Sequence, residues 1–245
     1  ARYAATRYVK PTGTGDGSSW ANASADLQGM INASAAGDEV WVAAGTYKPA
    51  AYPTGCTGCS SNRDYAFHLK NGVKLYGSFA GTETAVSQRN ISANPTILSG
   101  DFNGNDVVTG SGSTLSITGN GENAYHVVLS VSDGATTVLD GFMVTGGNAS
   151  GSGNITVEST FVFKNIGGGM YNRSSSPTIT NATFSGNAAT NEGGGMYNFF
   201  SSSPSITNTT FSGNSANSGG GMYNYFYSSP SITNTTFSGN SASSN

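Results

Sequence analysis

Gly167-Gly-Gly-Met-Tyr-Asn172 returns unchanged as Gly193–Asn198 and again as Gly219–Asn224, at a constant step of 26 residues. A second phrase follows each copy: Pro177-Thr-Ile-Thr-Asn-Ala-Thr-Phe-Ser-Gly-Asn187, then its near-identical counterparts Pro204–Asn214 and Pro230–Asn240. The stretches between the phrases vary. The first connector, Arg173–Ser176, is one residue shorter than Phe199–Ser203, and the first closing linker is one residue longer than the second, so the two differences cancel. Length changes confined to connectors mark those connectors as loops and the constant phrases as regular elements.

The constant phrases do not read as helix. Thr-Ile-Thr-Asn-Ala-Thr-Phe and its copies are rich in β-branched residues, and Pro177, Pro204 and Pro230 stand where a strand begins. Short strands broken by Gly, Asn and Ser turns follow. A unit of 26 residues cannot bury a core alone, so the units must stack. One unit per turn gives a β-solenoid in which each strand pairs in parallel with its copy, about 4.8 Å away. Identical residues then form ladders: Ile179, Ile206 and Ile232; Phe184, Phe211 and Phe237; Met170, Met196 and Met222 inside. Asn181, Asn208 and Asn234 form an amide ladder at a bend, as do Asn187, Asn214 and Asn240. None of these ladders needs a ligand. The glycine triplet reads as a tight corner where neighbouring turns approach without side chains between them; no helix pattern follows it, so it is no phosphate cradle.

Upstream the pattern loosens but continues. Thr137–Asn148, Tyr125–Ser130, Pro95–Gly100 and Gly72–Gly77 read as degenerate turns of the same solenoid, and Asp38–Ala43 as a strand. Leu27, Met30 and Ile31 have helical spacing, with Ser24 as the N-cap, and a short helix here would close the open end of the stack. The expected organisation is one domain over 1–245: an N-terminal segment and cap at 1–36, irregular coils with loop insertions at 37–165, and three repeats at 166–245.

The pairing of Gly-Gly-x-x with Phe-x-x-Asn, as in Gly168-Gly-Met-Tyr171 with Phe184-Ser-Gly-Asn187, resembles the repeat of polymorphic outer-membrane autotransporters. More broadly it resembles right-handed parallel β-helix proteins of the pectin-lyase-like superfamily. Tyr8–Trp20, Gly37–Pro49 and Phe67–Glu83 look like the opening of secreted bacterial β-helix proteins. The resemblance implies an all-β, single-stranded right-handed parallel β-helix with a short N-terminal helical cap. It implies adhesive or structural roles at the surface of a bacterium or outside it. Relatives often carry a C-terminal sorting region, which is not recognisable in this chain.

Composition agrees with an extracellular place and narrows the function classes. Only 9% of residues are charged, Gly numbers 35, and Ser, Thr and Asn fill much of the rest. Twelve Tyr and 12 Phe set the chain apart from disordered sequences. A net charge of −3 gives no basic footprint for nucleic acid, and no apolar run is long enough to insert in a membrane. From Ile166 to Asn245 the only charged side chains are Arg173 and Glu192.

Four kinds of candidate site remain. Asp101, Asn103 and Asn105, followed by Asp106, have the spacing that opens an EF-type calcium loop, the one cofactor the sequence suggests. Position six is Asp106 rather than Gly and position twelve is Gly112 rather than Glu, so an ordinary Asn/Asp/Gly turn explains the stretch as well. Cys56-Thr-Gly-Cys59 is read as a disulfide clipping an exposed loop, in preference to a redox pair or half a zinc site. Polysaccharide lyase or hydrolase chemistry on such a fold would have to use Lys70, Lys74, Arg89, Asp101, Asp106 or Asp140, whose spacing singles out no acid–base pair and which ordinary surface charge explains. Phe199, Phe200, Tyr225, Phe226 and Tyr227 occupy the variable connector, either as a contact surface for sugar or protein or folded back on the flank.

The sequence ends just past a complete repeat without a capping segment. Either the natural chain continues, or a second copy covers that face head to tail, with Ala1–Lys10 as the pairing strand. The functional expectation is a non-catalytic structural or adhesive solenoid, assembling end to end in a surface filament and meeting a glycan or cell-surface partner. The competing class is a carbohydrate-active enzyme or glycan-binding module.

Overall fold

A computed structural model describes residues 3–244; Ala1, Arg2 and Asn245 lie outside the described residues, and with them the first two positions of the segment Ala1–Lys10. The chain is mostly β, and its main sheets are parallel. The first sheet runs Thr6–Val9, Glu39–Ala43, Lys74–Phe79, Val138–Asp140, Thr178–Thr180, Ser205–Thr207, Ser231–Thr233 in spatial order. The second runs Gly45–Tyr47, Thr96–Ser99, Phe142–Thr145, Thr183–Ser185, Thr210–Ser212, Thr236–Ser238. The third runs Phe67–His68, Val128–Val131, Met170–Arg173, Met196–Phe199, Met222–Tyr225. A fourth joins Asn148–Ala149, Ala188–Ala189, Ser215–Ala216 and Ser241–Ala242. Each repeat therefore adds one strand to each sheet in the same order, an arrangement compatible with a parallel β-helix.

Register follows from the repeated words. Ile179 pairs with Ile206 and that with Ile232; Phe184, Phe211 and Phe237 align likewise, as do Met170, Met196 and Met222. Successive strand residues point to opposite faces, so alternate positions of each strand face inward. Met196, Ile206 and Phe211 lie in the main core with their upstream counterparts Val128, Leu139 and Val144. The Phe rings stack at 4.9 and 4.8 Å with nearly parallel planes. Each fully buried Ile or Phe contributes roughly 1.5–3 kcal/mol relative to exposure.

The triplet corner is as tight as its spelling suggests. Gly193 has φ 67°, in the left-handed region, and a Cβ on Gly194 would collide with the carbonyls of Ser215 and Gly220. Ala in that place would push two repeats apart.

Asparagines hold the other corners. Asn187 donates both its backbone N–H (3.1 Å) and its Nδ2 (3.0 Å) to Oδ1 of Asn214. Asn214 repeats the pattern on Asn240 and gives a second Nδ2 bond to the Phe184 carbonyl at 2.8 Å. Asn181, Asn208 and Asn234 stand at left-handed φ of 49°, 50° and 47°, with long, exposed amide contacts of 3.5 and 3.3 Å. That series ends on Asp140, whose Oδ1 accepts from Asn181 at 2.8 Å. A third ladder, through the last residue of each Gly-Gly-Gly-Met-Tyr-Asn phrase, was not foreseen. Asn172 donates to Asn198 at 2.7 Å, and Asn198 to Asn224 at 2.8 Å, with the first two fully buried.

Three features differ from the sequence reading. The helix is present as Leu27–Ala33, with Leu27 and Ile31 in the core, but its N-cap is Asp26, whose Oδ1 accepts from Gly29 N at 2.8 Å. Ser24 lies too far upstream for the first turn; its hydroxyl accepts from Asp26 N instead. Thr6–Val9 is no free pairing strand: it pairs with Glu39–Ala43, and its outer edge bonds to the loop through Tyr8 N to Gly17 O and Ser24 N to Tyr8 O. Two antiparallel hairpins were not anticipated, Val107–Thr109 with Ser116–Thr118 and Asn154–Val157 with Thr160–Phe163. The second roofs the outer face of the third sheet, where Ile155, Val157 and Val162 bury Leu129, Tyr171 and Tyr197 in a separate cluster.

Candidate functional site

The outer face of the third sheet is mostly apolar and aromatic, interrupted by His68 and Arg173. Alternation sends Met170 inward and Tyr171 and Arg173 outward, and the same holds for Tyr197 and Phe199, then Tyr223 and Tyr225. The hairpin Asn154–Phe163 covers the earlier part. Burial there pushes the phenols of Tyr171 and Tyr197 upward from their ordinary range. Beyond the hairpin the face is open.

On the open part the connector aromatics form two columns. Phe199 and Tyr225 stack at 5.8 Å, and Phe200 and Phe226 at 4.9 Å. Arg173, in register with Phe199, lays its guanidinium 4.3 Å from the Phe199 ring centre and 5.2 Å from that of Phe200. Phe163 of the hairpin approaches Phe199 at 6.5 Å, so the columns continue the covered surface. Phe200 remains 44% exposed, Tyr225 52%, Phe226 46% and Tyr227 84%. The column rings therefore stack on one another with their edges in water, and Tyr227 projects beside them, edge-on to Phe226.

The backbone beneath them is strained. Phe200 and Ser201 have φ of 59° each, and Phe226 and Tyr227 have 54° and 64°. A bulky residue in this region costs about 1–2 kcal/mol, and Gly or Asn would avoid most of it. Two stacked repeats nevertheless hold Phe in the same strained corner.

The remaining candidates have structural uses. The Asp101 carboxylate accepts backbone N–H bonds from Gly104, Asn105 and Asp106 at 2.6, 3.3 and 3.1 Å, which closes the turn and holds its pKa down despite burial. Asn103 and Asn105 are exposed, and Asp106 accepts from Asn123 at 2.8 Å. Burial first, then the neighbouring Asp101 and Glu122, raises the Asp106 carboxyl. Among the described residues no group of three or more His, Cys, Asp or Glu is placed to hold a metal ion. Of the four calcium candidates, Asp101 closes its own turn, Asn103 and Asn105 face water, and Asp106 keeps Oδ1 buried without a hydrogen-bond partner among the described residues. Cys56 and Cys59 form a disulfide beside the hairpin cluster.

Of the charged groups weighed for acid–base chemistry, Arg89 and Asp140 pair at 2.9 Å, and Arg89 also bonds the carbonyls of Gly77 and Asp140. That pair buttresses the bend where the exposed Asn series ends. Lys70 donates to the Asn32 carbonyl at 2.7 Å. Sequence reasoning passed over Glu158 and Asp133; the structure brings Glu158 to 3.8 Å from His68, a pair that separation in sequence hides.

No family model, curated protein or solved structure matches this chain.

Proposed function

We propose that this chain is a right-handed parallel β-helix of the pectin-lyase-like kind, acting outside the cell as a non-catalytic structural or adhesive scaffold. The aromatic columns on its flank are the contact surface. The observation that carries this reading is the pair of strained Phe corners, repeated in register at Phe200 and Phe226 and left open to water. Strain retained at an exposed bulky residue points to a use for the side chain.

The occupant is a protein segment with apolar side chains. Ring faces in the columns are taken by neighbouring rings and by Arg173, so their free edges suit packing of aliphatic side chains better than stacking of a sugar. The chain's own hairpin covers the adjacent part of the same face in this manner. The contact is therefore lateral. A head-to-tail contact that extends the first sheet finds the outer edge of Thr6–Val9 already bonded by the Gly17–Ser24 loop, although Ile232 and Phe237 are exposed on the last repeat.

Biolayer interferometry of the immobilised protein against purified extracellular-matrix proteins, and against itself, tests the reading. Binding to at least one is expected, with a loss of tenfold or more when Phe200, Tyr225, Phe226 and Tyr227 are all changed to Ser. Full binding by that variant would refute the strip as the contact surface. Turnover of acidic polysaccharides, seen as unsaturated-product absorbance, would refute the non-catalytic role.

A further inference from the structure

A cavity of about 200 Å³ opens between the end of the N-terminal helix, the strand Phe67–His68 and the tip of the hairpin Asn154–Phe163. Asn32, Thr54, His68, Leu69, Lys70 and Glu158 line it. Three features set it apart from a packing gap.

The first is an unanswered nitrogen. The His68 side chain is 4% exposed, and its Nε2 has no hydrogen-bond partner among the described residues. The nearest carboxylate oxygen, Glu158 Oε1, stands 3.8 Å away, beyond hydrogen-bond reach. Burial pushes the imidazole pKa down to about 4, so the ring is neutral at pH 7 and carries one N–H.

The second is the rigidity of the His68 mount. Gln28 clamps its backbone twice, accepting from His68 N at 2.8 Å and donating to His68 O at 3.0 Å. The same Gln28 amide donates to Asn32 Oδ1 at 2.9 Å, which ties the helix end to the cavity wall.

The third is the hairpin tip. Val157 and Thr160 are closed by two residues only, Glu158 at φ 47° and Ser159 at φ 63°. A two-residue turn with both φ positive favours Asn-Gly, and neither residue here avoids the strain. The tip keeps Glu where the backbone prefers Asn, and Glu158 reaches the cavity.

We infer that this cavity binds one neutral sugar residue, a hydroxyl of which bridges His68 Nε2 and the Glu158 carboxylate. A hydroxyl oxygen seated to the cavity side of the 3.8 Å N···O pair, at the apex of a triangle with it, can donate to Oε1 and accept from the imidazole N–H at ordinary lengths of about 2.7–2.9 Å. Leu69, the Thr54 methyl and the Lys70 stem supply walls for the C–H faces of the ring. The Lys70 ammonium, tied to the Asn32 carbonyl, and the Glu158 carboxylate balance one another in the lining, which suits a ligand without net charge. This site is separate from the aromatic columns and does not rest on them.

Titration of the intact protein with methyl α- and β-hexopyranosides, followed by nitrogen-15 NMR of His68, tests the inference. At least one glycoside is expected to shift the Nε2 resonance in a saturable manner. Glu158→Asn combined with Ser159→Gly should weaken that binding tenfold or more, while the thermal midpoint stays equal or rises because the turn is relaxed. His68→Gln should weaken it also. Three results would overturn the inference: no shift with any glycoside, unchanged binding in the double variant, or saturable binding of a simple ammonium ion in preference to every glycoside.

Discussion

Asn214 and Asn208 carry the same side chain one short strand apart, yet they do different work. Oδ1 of Asn214 takes both N–H groups of Asn187, and its Nδ2 serves the Phe184 carbonyl and Asn240, all within a buried corner. Asn214→Ala leaves at least one backbone N–H without a partner, and about 3 kcal/mol of stability should be lost in urea titration. Asn208 is held at φ 50° with long, exposed amide contacts, so Asn208→Gly should change stability by less than about 1 kcal/mol. Buried titrating groups set the response to acid. His68 and His126 are pushed down to about 4 by burial, so the unfolded chain takes up their protons first as pH falls below 6.5. Their contribution is complete above pH 6.5 and lost on the way to pH 4. Asp133 opposes them: burial raises it to about 6, and its contribution, complete below about pH 4, is lost as pH rises through 6. Two strongly shifted imidazoles outweigh Asp133 together with the smaller upward shifts of Asp106, Glu158 and Glu192, and the urea midpoint should fall between pH 7.5 and pH 4.5. Asp133→Asn should steepen that fall.

At the scale of elements, the strands of the repeats and the apolar runs upstream of them were legible, and the two antiparallel hairpins were not. The Ile, Phe and Met ladders could be written down because one phrase recurs at one step, and identical residues then meet in register. The hairpin Asn154–Phe163 had no such support: its strands are short, and Glu158-Ser159 lacks the Asn-Gly spelling of a two-residue turn. For the same reason the cavity it completes could not be foreseen. The helix was found by its apolar spacing, but Ser24 and Asp26 both stand near its start, and only the geometry selects Asp26. The connector aromatics were recognised as a candidate surface, while the stacking that defines them depends on strands being in register. Ile155 is buried in the hairpin cluster rather than the main core. Ile155→Ala should therefore loosen this element alone, with faster amide exchange over 154–163 and unchanged exchange in Ile179 and Ile206. Uniformly faster exchange would mean the hairpin is part of the global unit.

Across the whole molecule, the constant words build a stack and the variable connector marks its flank. The proposed contact depends on one energetic point, that Phe200 and Phe226 are retained for a partner rather than for the fold. Their left-handed backbone costs roughly 1–2 kcal/mol each, which offsets much of what half-buried, stacked rings contribute. The most direct measurement is a paired one on Phe200→Asn/Phe226→Asn, with unfolding free energy and binding to the captured matrix protein determined on the same preparation. Stability within about 1 kcal/mol of the parent, together with a tenfold or greater loss of binding, is the expected result. A loss of several kcal/mol with binding intact would show instead that the rings hold the stack together and that the contact surface lies elsewhere.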